Sequence, residues 1–243
     1  MQVAIIAGGL ATRLGTLTRN VPKSLIMIKD KPFLQHQLER LREGGIEDVV
    51  ICTGHLGHQI QDYFGDGSRF GVNLVYSQEE KPVGTAGALR LAKDKLQDPF
   101  FTIYGDSYLS LDFTAILKHF NSQNRLALMT VYENADLYDR SNTVVKGQLV
   151  EKYSKKEKTP GMVYIDYGAN LFRKRVLELV PEGQSYSLED LFVQLVERKE
   201  LLAYQVKERF YEIGSPQGLA EFRDYMERAL KTRPDEGCRS ESP

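Results

Sequence analysis

The chain has 243 residues, 42% of them hydrophobic and 27% charged, enough for one large α/β domain or two small ones with a solvated surface. A formal net charge of -1 gives no global basic field for a nucleic-acid partner, so any nucleotide must be held by a few local cations and backbone N–H groups. No apolar run approaches the length of a bilayer and no signal-peptide pattern follows Met1, while the cysteines, Cys52 and Cys238, do not read as a disulfide framework, so a cytoplasmic setting is expected.

Short apolar runs alternate with helical periodicity through the first half. Gln2–Ala7 reads as a buried strand, Pro32–Glu43 as an amphipathic helix, Asp48–Cys52 as a strand and Leu56–Phe64 as a helix. Val72–Tyr76, Thr85–Ala92 and Phe100–Tyr104 continue the alternation, which implies βαβ units and a mainly parallel sheet covered on both faces. In such sheets a ligand sits beyond the carboxyl ends of the strands. His55 and His58 fall at a loop and a helix start and do not combine with the cysteines into a zinc pattern. Gly65-Asp66-Gly67-Ser68 has turn chemistry, and Tyr63, Phe64 and Phe70 beside it read as packing residues.

The second half reads differently. Leu126–Tyr132, Thr143–Lys146, Leu149–Tyr153 and Met162–Phe172 are strand-like with few helices between them, suggesting an antiparallel or mixed extension that offers a platform to a second substrate. Ser187 with Asp190 resembles a capping box. Ser215-Pro216 opens a further helix with proline at its first position. From about Lys231 the chain is polar and interrupted by proline and glycine, as in a frayed tail. With no internal repeat or linker, residues 1–230 read as one domain with halves 1–125 and 126–230, and 231–243 as a tail.

Three clusters could carry chemistry. Ala7-Gly8-Gly9-Leu10-Ala11-Thr12-Arg13-Leu14, followed by Pro22-Lys23, puts glycines at a strand end, where backbone N–H groups can approach a triphosphate. Arg13 and Lys23 would then stabilise charge at an α-phosphorus and on departing pyrophosphate. This pattern fits neither G-x-G-x-x-G nor the Walker motif. Glu79 precedes Pro82-Val83-Gly84-Thr85 and reads either as a ligand or as part of a charged loop before a helix. Asp106, directly after the strand Phe100–Tyr104, stands where a divalent cation bridging phosphates would be needed, or caps a helix.

The segment AGGLATRLGTLTRNVPKSLIMIKDKPFLQHQLERL resembles the signature of the sugar-phosphate nucleotidyltransferases, GGxGTRLxxxTxxxPKxxxPxxxKP. The resemblance continues through EKPVGTAGAL, YGDSYL, VEKYSKK, IDYGANLF and FYEIGSPQGLAEF, and is strongest toward short heptose- and mannose-1-phosphate guanylyltransferases. It implies a GT-A-like, Rossmann-like α/β fold and transfer of a nucleotidyl group from an NTP to a sugar 1-phosphate with Mg²⁺. Carried over, Ala7, Gly8, Gly9 and Thr12 meet the nucleotide, Arg13 the leaving pyrophosphate and Lys23 the phosphates at the reaction centre. Ala11 stands where the family has glycine. Glu79 would face the base, with Gly84 and Thr85 beside the nucleoside. A carboxylate there can accept from N1–H and the exocyclic amine of guanine, which favours GTP over UTP or CTP.

By the same resemblance Asp106 is the first metal ligand, and Glu212 takes the place of the family's second aspartate. Glu151 and Lys152 match an E-K pair that binds sugar hydroxyls and sugar phosphate. Of the neighbouring Lys152, Lys155, Lys156 and Lys158, at most one is expected to touch substrate. Asp166 and Gly168 fall where relatives line the sugar pocket. A non-catalytic nucleotide-sugar sensor on the same fold is the competing class, yet such a protein is free to lose the arginine, lysine or aspartate, and all three are present. A dehydrogenase is a distant third, since no acidic ribose ligand follows the first glycine-rich turn at the expected distance. The sequence names neither the sugar nor the oligomeric state, a homo-oligomer included.

Overall fold

A computed structural model of the protein describes residues 1–9 and 12–231, and no side chain for Thr12, Leu230 or Lys231. Cys238 and nearly all of the expected tail lie outside the described residues.

The first half runs β1 (Gln2–Ile6), a short ribbon of β2 (Met27–Ile28) and β3 (Lys31–Pro32), then α1 (Phe33–Glu43), β4 (Asp48–Thr53), α2 (Gly57–Phe64), β5 (Asn73–Gln78), α3 (Thr85–Leu91) and β6 (Phe100–Tyr104). After β7 (Ser107–Tyr108) and α4 (Phe113–Asn121) come β8 (Ala127–Glu133), β9 (Thr143–Lys146), β10 (Leu149–Tyr153) and β11 (Tyr164–Phe172). The described chain closes with α5 (Leu188–Glu197), β12 (Leu201–Val206), β13 (Tyr211–Glu212) and α6 (Pro216–Lys231). Expected boundaries shift by a residue or two where local geometry intervenes. Pro32 caps α1 in an extended conformation instead of joining it, and Leu56 takes a left-handed conformation before α2.

Nine strands form one mixed sheet in the order β5-β4-β1-β6-β11-β8-β12-β10-β9. The strands β5, β4, β1 and β6 are mutually parallel, whereas β11 runs antiparallel to both β6 and β8. The antiparallel or mixed extension is therefore the far side of the same sheet. Thr143 in β9 also pairs with Tyr164 in β11, which folds that edge back on itself.

Side chains alternate between the two faces, as a two-residue period requires. Val3, Ile5, Val49, Ile51, Phe101 and Ile103 join the core beneath α1, α2 and α4. Ala4, Val50, Cys52 and Phe100 point to the other core, under α3 and α5. A third, smaller cluster decides where the site forms. Leu14, Ile26, Ile28 and Phe33 pack with Ile213, Leu219 and Phe222, so the loop after β1 is fastened to α6. Phe222 is fully buried with its ring edge-on to Phe33 at 5.2 Å, and truncating it to alanine would cost about 3–5 kcal/mol.

The capping box at Ser187 and Asp190 is present, as is the helix start at Pro216. The Gly65–Ser68 turn forms with left-handed glycines and Asp66 accepting from Ser68 N–H, and Phe64 packs against Tyr63 and Phe70. Besides the short 3-10 turns and the two-residue strands β2, β3, β7 and β13, two elements went unread. The helix α4 has apolar residues at Phe113, Ile116, Leu117 and Phe120 and a cap at Asp112, a pattern available in the sequence. The strand β12 follows α5 after three residues and buries little beyond Leu201 and Leu202, so its alternation is faint. Among the described residues no helix is long and apolar enough to cross a membrane.

Candidate active site

The carboxyl ends of the parallel strands are laced together. Ala7 N–H donates to Cys52 O at 2.8 Å, Gly105 N–H to Ile6 O at 2.9 Å and Glu79 N–H to Thr53 O at 2.9 Å. These bonds carry the ladder into the loops, so Gly8, Gly9, Glu79 and Asp106 emerge along one edge. The Glu79 carboxylate lies against the bare backbones of Gly8 and Gly54, and its second oxygen accepts from Val83 N–H at 3.1 Å. Gly84, at φ 78, starts α3 where the chain passes so close to Tyr186 that an added Cβ would sit 2.5 Å from its carbonyl oxygen. The Thr85 hydroxyl accepts from Leu188 N–H at 2.7 Å, which commits that group to joining α3 to α5. Gly9 is exposed beside this edge.

At the neighbouring strand end the charged groups meet. Lys23 Nζ lies 2.5 Å from Asp106 Oδ2, with the side chains 18% and 23% exposed. A two-strand ribbon sets Glu212 opposite Ser107, and Ile213 N–H donates to Asp106 O at 2.9 Å. Asp106, Glu212 and Arg13 converge on Gly214: a methyl group there would stand 2.9 Å from Asp106 Oδ2, 2.8 Å from Glu212 Oε2 and 3.4 Å from Arg13 Nη2. Glu212 accepts from Gly214 N–H and from the Ser215 hydroxyl. It therefore sits at the N-terminus of α6, where the helix dipole favours negative charge.

From this point a cavity of about 620 Å³ extends across β11, past Tyr104, Lys155, Asp166 and Gly168. Asp166 donates its backbone N–H to Asn142 Oδ1 at 3.0 Å, and its own Oδ1 accepts from Gly168 N–H at 3.0 Å. Burial pushes the Asp166 carboxyl above the ordinary carboxylate range, against the opposing pull of Lys155 and of its hydrogen bonds. Burial beside Asp166 and Asp106 likewise drives the Tyr104 phenol well above its usual value.

Two expected sugar-phosphate ligands are not in this cavity. A bulge separates Val150 from Lys152 in β10, leaving Glu151 and Lys152 exposed. Glu151 pairs instead with Lys146 at 3.1 Å. The lysine that reaches the cavity is Lys155, whose Nζ lies 5.4 Å from the centre of the Tyr104 ring. Only a run of four lysines marked it in the sequence, and spacing alone could not choose among them. On the outer wall Arg209 lies between the rings of Tyr138 and Tyr211, at 4.0 and 4.6 Å, and pairs with Glu221. Sequence reasoning missed this stack, because Tyr138 comes from a loop far in sequence from the segment that carries Arg209 and Tyr211.

Residues 2–228 match the model of a family described as Nucleotidyl transferase. The chain is similar to the UTP–glucose-1-phosphate uridylyltransferase of Synechocystis, 31% identical over 81% of this chain and 55% of that one. It is also similar to the D-glycero-α-D-manno-heptose 1-phosphate guanylyltransferase of Campylobacter jejuni, 28% identical over 91% of this chain and 98% of that one. Against several curated relatives the chain spans only 55% to 63% of their length. Among solved structures, a Bacillus anthracis protein crystallised in complex with a sucrose superimposes with a TM-score of 0.82 at 25% identity, covering 98% of each chain.

Proposed function

The chain belongs to the nucleotidyl transferase family, and from that premise we propose that it joins an NTP to a sugar 1-phosphate, releasing pyrophosphate. One observation carries the reading: Arg13, Lys23, Asp106 and Glu212 gather at one end of a cavity that extends past Tyr104, Asn142 and Asp166, where Lys155 is a further cation. Reactive phosphates belong beside Arg13 and Lys23, and a sugar 1-phosphate fits the stretch beside Asp166 and Lys155.

In this reading the NTP lies along the edge from Glu79 to Gly8 with its phosphates toward Arg13. A sugar-phosphate oxygen attacks the α-phosphorus in line, and the bond to the β-phosphate oxygen breaks. The nucleophile is already ionised, so neither a covalent enzyme intermediate nor a general base is required. Lys23 and Arg13 hold charge that shifts from the α-phosphate to the leaving pyrophosphate, and pre-placed charge of this kind lowers the barrier most.

Asp106 and Glu212 fit a hard divalent cation such as Mg²⁺. Their donors are carboxylate oxygens that converge on one point, and among the described residues no cluster of three or more His, Cys, Asp or Glu forms. Mg²⁺ commonly takes one or two carboxylates and fills its remaining positions with phosphate oxygens and water. When bound, the cation would act as a Lewis acid toward the phosphates.

GTP is the donor we favour. A carboxylate has about four acceptor sites, and Val83 uses one of those on Glu79, leaving room for the paired donors of guanine. Relatives named for both guanylyl and uridylyl transfer are similar to the chain, so the base rests on Glu79. A matrix of four NTPs against several sugar 1-phosphates, read by pyrophosphate release, tests the proposal. Release that depends on both substrates supports it, and release independent of any sugar phosphate overturns it.

A further inference from the structure

The outer wall of the cavity joins two segments far apart in sequence. Residues 134–142, between β8 and β9, form a loop braced within itself. Asn134 Nδ2 donates to Asp139 O at 2.5 Å and to Ser141 Oγ at 3.0 Å. Asn134 Oδ1 accepts from Tyr138 N–H at 3.1 Å, and Asp136 Oδ1 accepts from Ser141 N–H at 2.8 Å. The root of the loop is tied to β11, where Asn142 N–H donates to Tyr164 O at 2.9 Å and Asn142 Oδ1 accepts from Asp166 N–H at 3.0 Å. Its tip stands out, with Leu137 70% and Tyr138 38% exposed. A loop braced in this way moves as a unit about its root, so whatever holds the tip sets how wide the cavity stands.

Arg209 holds it. Its guanidinium carbon lies 4.0 Å from the centre of the Tyr138 ring and 4.6 Å from that of Tyr211, both inside the reach of about 6 Å for a cation over an aromatic face. The other side of this stack is fixed to α6. Tyr211 stacks on Tyr225 at 4.3 Å with the ring planes 27° apart, and Arg209 Nη2 pairs with Glu221. That helix carries Glu212 at its start, so Arg209 sets the loop in register with the end of the cavity where the charged groups meet. Pairing with Glu221 also argues against Arg209 as a phosphate ligand, because its charge is already matched by a carboxylate.

Resting on the nucleotidyl-transfer reading, we propose that Arg209 is a positioning residue for the acceptor: stacked between Tyr211 and Tyr138, it holds loop 134–142 against α6 and so closes the wall on the sugar 1-phosphate. The NTP edge from Gly8 to Glu79 includes no residue of this stack, so the effect falls on one substrate.

The test follows pyrophosphate release by the full chain with the NTP it prefers and α-D-mannose 1-phosphate, α-D-glucose 1-phosphate or D-glycero-α-D-manno-heptose 1-phosphate. Arg209→Lys keeps a charge for Glu221 but has no planar group to lie between two rings. It should raise KM for the sugar phosphate that turns over by about three- to thirtyfold. KM for the NTP and kcat should stay within about twofold, the pattern of lost binding to one substrate. Tyr138→Ala should raise the same KM by a similar factor. Tyr138→Phe keeps the ring, gives up only the hydroxyl that meets Tyr132, and should recover most of that loss. The double variant of Arg209→Lys with Tyr138→Ala should cost little more than either change alone, a coupling that a merely structural role does not produce. An unchanged KM for the sugar phosphate in both single variants would overturn the proposal, whatever their thermal melts show. So would an equal rise in both KM values, or a double variant whose two penalties simply multiply. If no sugar phosphate supports pyrophosphate release by the wild-type enzyme, the nucleotidyl-transfer reading fails first and takes this one with it.

Discussion

Replacing Lys23 with alanine separates a catalytic charge from a structural one. The ammonium lies 2.5 Å from Asp106 Oδ2, and both side chains are about one-fifth exposed. Coulomb attraction at an effective dielectric constant of 20 is about 6–7 kcal/mol at that distance. Desolvation and screening cancel most of it, and partly exposed pairs contribute about 1 kcal/mol net. Lys23 belongs to none of the apolar clusters, so its loss should lower Tm by about 2–4 °C in a domain of this size. The catalytic effect is larger. Removing a preorganised group that stabilises developing charge costs about 2.7–4 kcal/mol, a hundred- to a thousandfold in turnover. Steady-state pyrophosphate release should therefore collapse in Lys23→Ala while the thermal melt stays cooperative and nearly unshifted. Near-normal rate constants would remove Lys23 from the reaction centre. Loss of the folded state would show instead that the pair with Asp106 is structural.

Activity should require a divalent cation: chelator in excess abolishes turnover, and Asp106→Asn raises the Mg²⁺ concentration needed for half-maximal rate, whereas full activity in chelator removes Asp106 and Glu212 from a metal site together. If Glu79 reads guanine, GTP is the preferred donor and Glu79→Gln erodes that preference by about ten- to a hundredfold, the worth of a charge-assisted pair at about 1.5–3 kcal/mol. A wild-type enzyme that uses UTP or CTP as well as GTP contradicts this. Gly84→Ala should destabilise the fold by about 2 kcal/mol or more, because its Cβ meets the Tyr186 carbonyl and its φ of 78 suits glycine. An unchanged melting temperature would show that the α3–α5 junction adapts freely.

The nucleotide half was the more legible in the sequence. Its strands are short apolar runs closed by glycine or a charged residue, so the positions after each run, Gly8, Glu79 and Asp106, could be located before any coordinates. Those residues do emerge along one edge, because the sheet fixes the ends of its strands. The sugar half was harder, for a physical reason. Glu151 and Lys152, matched by resemblance to an E-K pair, sit exposed at a bulge, which changes which face each following residue occupies, and the lysine that lines the cavity is Lys155. The pairing of Lys23 with Asp106 is 83 positions long in sequence and is made by the packing of Leu14, Ile26 and Ile28 on α6, which no local pattern encodes. The whole sheet is mixed where the first half alone read as mainly parallel, since β11 inserts antiparallel beside β6.

The central claim is that a sugar-phosphate oxygen attacks the α-phosphorus of the NTP. Sugar 1-phosphate labelled with ¹⁸O at its non-bridging oxygens tests it directly, with products separated and weighed by mass spectrometry. The account predicts that every labelled oxygen remains in the nucleotide sugar and that unlabelled pyrophosphate appears in equal amount. Label in a released phosphate, or departure of a group other than pyrophosphate, would contradict it.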